Sequence, residues 1–447
     1  MNSIKKRFLG LAIMFFLLCY IDVACQSKED DLIVGRVIDE ATGESLPFAT
    51  VSLKDKSDGT VTNPDGEFNL FLPAYKPNED TLVVSHIGYA NKYISINEAL
   101  STKPLLFSLS EKVLELEEVR VQVEHLEPKQ IMQRTYDALE KNHNTKPFIS
   151  KGFFRDLRDQ NQKSSYLVEA SVEVFDPGLQ AISSKGNEKR KSFYLKGVRV
   201  SNNYINKLLT PVLDKHNFLR IGLESNIWVR RLKNDLFDPN KAYQWEDVVF
   251  KNELPLYVVS TTDTAAIDAL AEEHKDMRFA YTHRYYVDIE SYAIHKIEYT
   301  ERPLEGTYIG IEPPYPGDTL FYSKKGWNGT YEFEQYNQKM YLRYYDMSYA
   351  FDIVNSKTES VYLDMKFNNT YIVTSIETGK VKKPKGIRMN RNKSLVQQAT
   401  AYEPLFWGNE SNTKLVPLTQ HQIMGLEREL SLEEQFRSNS TNNKTIK

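Results

Sequence analysis

The sequence predicts a mainly β protein built from two unequal domains. Between residues 33 and 109, short runs of β-branched and aromatic residues alternate with turn residues about every eight to twelve positions. A second, longer β-rich region follows, and 14 of the 27 tyrosines fall between Tyr281 and Tyr349. The chain of 447 residues is longer than one hydrophobic core normally organises, so two domains are expected.

The composition is that of a folded protein. A hydrophobic content of 41% with 26% charged residues is unlike that of a disordered chain. The formal net charge of −3 provides no basic surface for nucleic acid, which is therefore not an expected partner. Both cysteines, Cys19 and Cys25, lie in the N-terminal segment. The folded body consequently has no cysteine for a disulfide, a thiolate nucleophile or a metal ligand.

Residues 1–25 have the organisation of an export signal. The basic residues 5–7 precede an apolar run from Phe8 to Tyr20, and small residues follow near Cys25. The apolar run is too short for a comfortable transmembrane helix. We therefore expect an exported protein, located in the periplasm, at the outer membrane or at the cell surface.

Two modes of processing are possible at Cys25. Cleavage after Cys25 would place Gln26 at the new N-terminus, and Asp22 favours it because a lipobox normally has leucine there. Processing before Cys25 would instead leave a lipidated cysteine. Residues 27–31 resemble the acidic signal that follows the cysteine in some surface lipoproteins. Cys25 is thus the candidate lipidation site, with simple cleavage as the favoured alternative.

Residues 26–124 are predicted to form the first domain. Gly43 and the turn at residues 63–66 mark positions where the chain reverses direction. Apolar and polar residues alternate over 49–54, as in a strand with one buried face. The continuous apolar run at 81–84 predicts a central strand, and residues 105–109 close the sandwich.

These segments resemble a known module. Residues 33–53, 59–68 and 85–89 together resemble the carboxypeptidase regulatory-like domain, a transthyretin/Ig-like β-sandwich found at the front of many secreted envelope proteins. The resemblance implies a Gram-negative cell envelope setting. Leu116–Val123 is also similar to the segment that leads into the plug domain of TonB-dependent outer-membrane receptors. The chain that remains is too short for such a receptor.

Residues 125–436 are predicted to form a larger antiparallel β domain with short peripheral helices. Pro128 is placed to open a helix that reaches about Asn142. The segment Tyr285–Tyr299 contains two alternating runs around a short turn at residues 290–292, which predicts a hairpin. This hairpin resembles those of the periplasmic lipoprotein-carrier half-barrel.

The end of the second domain is predicted to be helical. Thr419 and Gln422 have the spacing of a capping box, and a further helix is expected at residues 263–275. Residues 437–447 are polar and are expected to be a disordered tail. Taken together, the second domain resembles uncharacterised envelope proteins that follow the same regulatory-like module.

The family name invites a comparison with zinc carboxypeptidases. His295 and Glu298 have the His-x-x-Glu spacing of such a metal site, and His421 could supply the distant second histidine. In an alternating strand, however, residues three apart point to opposite faces of the sheet. The sequence also lacks a Gly-x-Ser-x-Gly elbow, a Walker loop and a His-Glu-x-x-His motif. We therefore expect no catalytic residues, no metal, no cofactor and no enzymatic activity.

The tyrosine-rich region is the expected binding surface, with Tyr286 and Trp327 as candidate ligand-binding residues. Tyrosine suits binding faces as well as strand packing, and core packing is the simpler explanation of its abundance. Trp327 lies in a Lys- and Gly-rich stretch that resembles a loop. An open face of an antiparallel sheet would make Tyr286 accessible. The predicted buried set is Tyr285, Val287 and Ile289, and the predicted accessible set is Tyr286, Asp288 and Glu290.

These observations favour a non-enzymatic envelope protein that acts as a binding or scaffolding module. Its partner would be an envelope protein, a glycan or a lipid. One alternative is an accessory component of an outer-membrane receptor or transport assembly. The other is a hydrolase of the metallopeptidase type, against which the strand directions of His295 and Glu298 argue.

Overall fold

A computed structural model describes 15 stretches of the chain. The predicted export segment with Cys25, the predicted strand at 116–123 and, apart from Asp263, the predicted helix at 263–275 lie outside them. The described stretches are 32–72, 75–76, 78–102, 104–112, 126–179, 191–206, 218–220, 222–223, 236–251, 254–263, 279–303, 320–355, 357–358, 360–407 and 416–442.

The N-terminal domain is a β-sandwich, which confirms the predicted fold class. One sheet has the order β4-β1-β7 and the other has the order β3-β2-β5-β6. Apolar side chains from both sheets share one core, in which Val37 and Phe68 meet Val51 and Leu82. The elements are β1 (Leu32–Asp39), β2 (Thr50–Leu53), β3 (Gly59–Val61), β4 (Glu67–Phe71), β5 (Thr81–Ser85), β6 (Lys92–Ser95), α1 (Ile96–Ser101) and β7 (Leu105–Leu109).

The turn at residues 63–66 is held by one side chain. The Oδ1 atom of Asn63 accepts hydrogen bonds from the backbone N–H groups of Asp65 at 2.9 Å and Glu67 at 2.8 Å. Gly66 has a φ of 76°, in the left-handed region that favours glycine. This turn chemistry was readable from sequence because asparagine and glycine act locally.

The second domain is built on one antiparallel sheet with the strand order β11-β12-β13-β14-β15-β16-β17-β8-β9-β10-β18. Most connections are hairpins, including the predicted one between β13 and β14, where Asp288 accepts hydrogen bonds from the loop. The strands are β8 (Phe148–Gln160), β9 (Lys163–Asp176), β10 (Ser192–Val200), β11 (Gln244–Lys251), β12 (Leu254–Asp263), β13 (Phe279–Asp288), β14 (Ile294–Pro303), β15 (Leu320–Tyr336), β16 (Lys339–Asn355), β17 (Val361–Glu377) and β18 (Ile387–Arg388).

Short helices flank this sheet. Pro128 occupies the first turn of its helix as predicted, but the predicted helix 128–142 is divided at Ala138. The capping box of Thr419 and Gln422 is present. The helices are α2 (Pro128–Asp137), α3 (Leu139–Asn142), α4 (Phe218–Arg220), α5 (Pro404–Phe406), α6 (Gln420–Leu426) and α7 (Leu432–Asn442), with a 3-10 turn at Val396–Gln398.

Helix α7 continues beyond Phe436 to Asn442, into the segment predicted to be disordered. The side-chain amide of Asn439 donates hydrogen bonds to the carbonyl oxygen of Val200 at 3.1 Å and to Oδ1 of Asn202 at 3.2 Å. These contacts hold a polar helix against β10. Hydrophobic patterning does not predict them, because the residues that make them are amides.

Both faces of the large sheet are covered near its centre. One face packs against α2 and α3 through Ile131 and Leu139, and we call it the core face. We call the opposite face the outer face. The outer face of β16 and β17 packs against the N-terminal domain, and that of β8 to β10 packs against residues 402–407 and 416–442. The expectation of one open face is therefore wrong for the central strands. Two-sided burial accounts for the long buried run in β9.

Arg343 joins the two domains. The pairing of β15 with β16 shifts register there, so Arg343 is an extra residue in its strand. Its Nη1 atom donates hydrogen bonds to the carbonyl oxygens of Ser57 at 2.9 Å and Val373 at 3.1 Å. A Cβ atom on Gly59 would overlap the guanidinium group. The neighbouring rings of Phe48 and Tyr344 stack with centroids 5.4 Å apart.

We predict that Arg343→Met separates the unfolding of the two domains. The carbonyl oxygens of Ser57 and Val373 would lose a charged donor, which lowers the free energy of unfolding by about 2 kcal/mol. Calorimetry should then resolve two transitions. Arg388→Met, at an exposed position of β18, is the matched control and should melt like the parent protein. A single unshifted transition in Arg343→Met would contradict the assignment.

Candidate functional site

A cavity of about 460 Å³ lies where the N-terminal domain, the large sheet and the C-terminal helices meet. Its floor is the outer face of β8 to β10, and its walls come from the start of β1 and from residues 416–436. Its volume falls within the range typical of small-molecule sites. Residues that line it include Leu32, Asn69, Arg155, Leu167, Glu169, Arg199, Tyr402, Leu418, Ile423 and Phe436.

Three charged side chains form the floor of this cavity. Arg155, Glu169 and Arg199 are cross-strand neighbours on β8, β9 and β10. Arg155 binds Oε1 of Glu169 through Nε at 2.9 Å and Nη2 at 2.7 Å. Arg199 binds the other oxygen, Oε2, through Nε at 2.6 Å and Nη2 at 2.5 Å. We call this group the ion triad.

Aromatic rings cover Arg199. Its guanidinium carbon lies 4.4 Å from the centroid of the Trp407 ring and 4.6 Å from that of Phe436. Trp407 is fully buried, and a Cβ atom on Gly197 would come within 3.0 Å of its ring. Glycine at that position therefore lets the tryptophan lie directly on the sheet. The result is a buried cation enclosed by π systems.

The ion triad keeps Glu169 ionised. Burial alone would raise the pKa of this carboxyl group, but Arg199 and Arg155 outweigh the burial and lower the pKa below its ordinary value. Its partners among the described residues are the guanidinium groups of Arg155 and Arg199, so the carboxylate is a poor proton donor at neutral pH. The arrangement suits binding rather than acid–base chemistry.

The sandwich topology, the turn at residues 63–66 and the closing strand β7 belong to one recognised module. Residues 33–121 match the CarboxypepD_reg-like domain family. This match confirms the resemblance drawn from the sequence. The matched segment supplies Asn69 to the cavity wall, and Leu32, which also lines the cavity, directly precedes it.

The remaining comparisons are distant. No curated protein matches the chain. A putative outer membrane lipoprotein-sorting protein domain from Vibrio parahaemolyticus is 11% identical with a TM-score of 0.24, covering 57% of this chain and 96% of that one. A putative membrane-associated protein of unknown function from Bacteroides fragilis NCTC 9343 is 10% identical with a TM-score of 0.14, covering 78% and 98%.

The two predicted binding residues lie on opposite faces of the large sheet. Tyr286 pairs with Lys296, which pairs with Glu332, so these three share the outer face. Trp327 pairs with Tyr349 on the core face. The structure therefore does not bring Tyr286 and Trp327 into one surface, and neither of them lines the cavity.

Trp327 lies within β15 rather than in the predicted loop. It is half-buried, and its ring contacts Tyr299 and Tyr349 edge-on with centroids 6.1 and 6.4 Å apart. Gly326 has a φ of 147° at a register shift, which keeps the strand continuous through a sequence that resembles a turn. The tryptophan packs against the core of the sheet.

Tyr286 belongs to a charged cluster on the outer face of β13 and β14. Its hydroxyl donates a hydrogen bond to Oε2 of Glu298 at 3.0 Å, and Nη1 of Arg284 binds the same oxygen at 3.1 Å. Burial, together with the Glu298 carboxylate, raises the pKa of Tyr286 well above its ordinary value. Asp288, predicted to be accessible, is buried because it caps the hairpin turn. Ile289, predicted to be buried, is partly exposed in that turn.

The His-x-x-Glu pattern does not form a site. His295 is buried beside His143 and Lys251, whereas Glu298 lies in the cluster around Tyr286. His421 lies in the first turn of α6, where its Nε2 atom contacts the carbonyl oxygen of Gln162. Within the described stretches, no group of three histidine, cysteine or carboxylate side chains could hold a metal ion. The same stretches contain no helix long and apolar enough to cross a membrane.

Sequence inspection missed the ion triad, although it leaves a trace. Glu169 interrupts an otherwise apolar and small run in β9, and Arg199 stands between two valines in β10. A charge inside an apolar strand indicates a buried, paired side chain. The identity of its partners depends on strand register, which single-sequence reading does not provide.

We predict that acidification destabilises the protein through its buried histidines. Burial, with a contribution from Lys339, lowers the pKa of His143 to about 4, and burial likewise lowers that of His295. As the pH falls below 6.5, these histidines take up protons in the unfolded chain before they do so in the folded protein. Their contribution to the free energy of unfolding is therefore complete above pH 6.5 and is lost as the pH falls towards 4. His143→Gln should reduce this loss by up to about 3 kcal/mol.

Urea unfolding at a series of pH values measures the effect. His421→Gln makes the same substitution at an exposed histidine and is the matched control. An unchanged slope between pH 6.5 and 4 in His143→Gln would contradict the prediction.

Proposed function

We propose that this chain is an exported, non-enzymatic binding protein of the Gram-negative cell envelope, and that the cavity is its ligand site. The observation that carries the proposal is a cavity of small-molecule size with a buried ion triad at its floor. Structural ion pairs alone do not require an open space beside them. The space and the charges together support a binding site.

The character of the site favours binding over catalysis. Glu169 is saturated by two guanidinium groups, and its lowered pKa removes it as a general acid. The remaining wall residues are mainly apolar, as in pockets that hold ligands through shape and burial. These features support the non-enzymatic assignment.

The localisation part of the proposal rests on the sequence of residues 1–25. Their basic start and apolar run support export. Release at Gln26 would give a periplasmic protein, and lipidation at Cys25 would hold it at the outer membrane or cell surface. The partner class of the whole chain, whether protein, glycan or lipid, is part of the same proposal.

A second candidate function is an accessory role in an outer-membrane receptor or transport assembly. The edge strand β6 of the CarboxypepD_reg-like domain pairs with a strand on one side only, among the residues that the structure describes. Tyr93 on this strand is 58% exposed. A free edge can accept a strand from another protein, and this supports docking to a larger assembly.

The anchor is tested by metabolic labelling with a fatty acid. Simple cleavage predicts an unlabelled protein that starts at Gln26 and leaves the membrane fraction in high salt. Lipoprotein processing predicts a label that is lost in Cys25→Ser, because the acyl chains attach to that cysteine. A protein that stays in the cytoplasm would contradict the export assignment.

The ligand site is tested by filling the cavity. Ile423→Trp places a bulky ring into it, whereas Met424→Trp changes a 68% exposed neighbour on α6 and serves as the matched control. We expect mass spectrometry of the protein purified from envelopes to find a bound molecule that Ile423→Trp loses and Met424→Trp keeps. Equal recovery from all three proteins would contradict the proposal.

A further inference from the structure

The ion triad has two positive charges and one negative charge. Two guanidinium groups share the single carboxylate of Glu169, and Glu169 and Arg199 are almost completely buried. Two exposed acids, Glu427 and Glu433, also line the cavity. Glu427 accepts a hydrogen bond from the backbone N–H of Leu432, and Glu433 forms an ion pair with Arg437.

Arg155 is the side chain through which this charge can act on a ligand. Its hydrogen bonds to the described residues use Nε and Nη2, both directed at Glu169. Among the described residues, Nη1 has no hydrogen-bond partner, and it is not fully buried. The side chain keeps 14% of its surface accessible at the cavity. A guanidinium edge of this kind binds carboxylate and phosphate oxygens.

The rest of the cavity is mainly apolar, although Asn69, Glu427 and Glu433 also line it. Leu167 is fully buried at the floor, and Phe436 closes one side. Such walls exclude water and favour a hydrocarbon body over a strongly hydrated one. The wall residues that define this apolar part are Leu32, Leu167, Leu418, Ile423, Leu432 and Phe436.

We infer that the cavity binds an amphiphile with one anionic oxygen group, a carboxylate or a phosphodiester, on an apolar body. This inference rests on the proposed ligand site and specifies its chemistry. The head group pairs with Nη1 of Arg155 and offsets the excess charge of the ion triad. The hydrocarbon body packs along the leucine and isoleucine walls.

Isothermal titration of the mature chain with three probes tests the inference. Dodecanoate represents a carboxylate amphiphile, dihexanoyl phosphatidylglycerol represents a lipid phosphodiester, and dodecyl maltoside is an uncharged amphiphile. Each is used below its micelle concentration. We expect at least one anionic probe to bind, and dodecyl maltoside to bind more weakly by about tenfold or more, since a charge-assisted hydrogen bond is worth about 1.5–3 kcal/mol. Tighter binding of dodecanoate would indicate a carboxylate ligand, and tighter binding of dihexanoyl phosphatidylglycerol would indicate a lipid phosphodiester.

Arg155→Met removes the proposed contact while Glu169 keeps Arg199 as its partner. It should raise the Kd of the anionic probe by about tenfold or more, and Arg155→Lys should recover part of the affinity. Lys151→Met is the matched control, because Lys151 lies on the same strand, is paired with Glu377 and does not line the cavity. It should bind like the parent protein.

Two results overturn the inference. One is equal affinity for charged and uncharged probes, and the other is an unchanged Kd in a folded Arg155→Met. If Ile423→Trp still abolishes binding in either case, the cavity remains the ligand site and only the anionic specificity fails. If no probe and no envelope-derived molecule binds, both proposals fail.

Discussion

The burial of Glu169 is the constraint on which the centre of the second domain depends. An isolated carboxylate at that position would cost many kcal/mol, so both arginines must be held at hydrogen-bonding distance. Arg155 and Arg199 come from different strands, and the ion triad therefore requires one register of β8, β9 and β10. The rings of Trp407 and Phe436 then complete the enclosure by covering Arg199. The apolar walls do not close over these buried charges, and a pocket remains beside them.

Much of the fold was predictable because its determinants are local. The turn at residues 63–66, the helix start at Pro128 and the capping box of Thr419 each depend on neighbours within a few residues. The sandwich could be recognised for the same reason, since its strands and turns follow each other regularly. The division of the predicted helix at Ala138 and the extension of α7 to Asn442 could not be predicted, because tertiary contacts decide them.

The candidate site shows where sequence inspection ends. Tyr286 and Trp327 were paired because both are large rings in a tyrosine-rich region, yet strand register places them on opposite faces. Alternation within a strand is visible in sequence, but the relation between distant strands is not. The ion triad is subject to the same limit, because Arg155 and Arg199 are 44 positions apart in the printed sequence. The sequence shows that Glu169 and Arg199 are buried charges, because they stand in apolar strands, but only the strand register shows that they are partners.

The hydrogen bond from Asn63 to the carbonyl oxygen of Pro417 spans 354 positions of the chain. It has a consequence for the order of assembly. The N-terminal domain is synthesised first, but Phe48 and Val61 obtain their partners Tyr344 and Val416 only after most of the second domain has followed. During this interval an apolar patch of the first domain faces solvent, where it can associate with other unfinished chains. A product truncated before residue 344 keeps that patch open permanently, because it lacks Tyr344, Ile372 and Val416, and this makes it a target for chaperones and proteases.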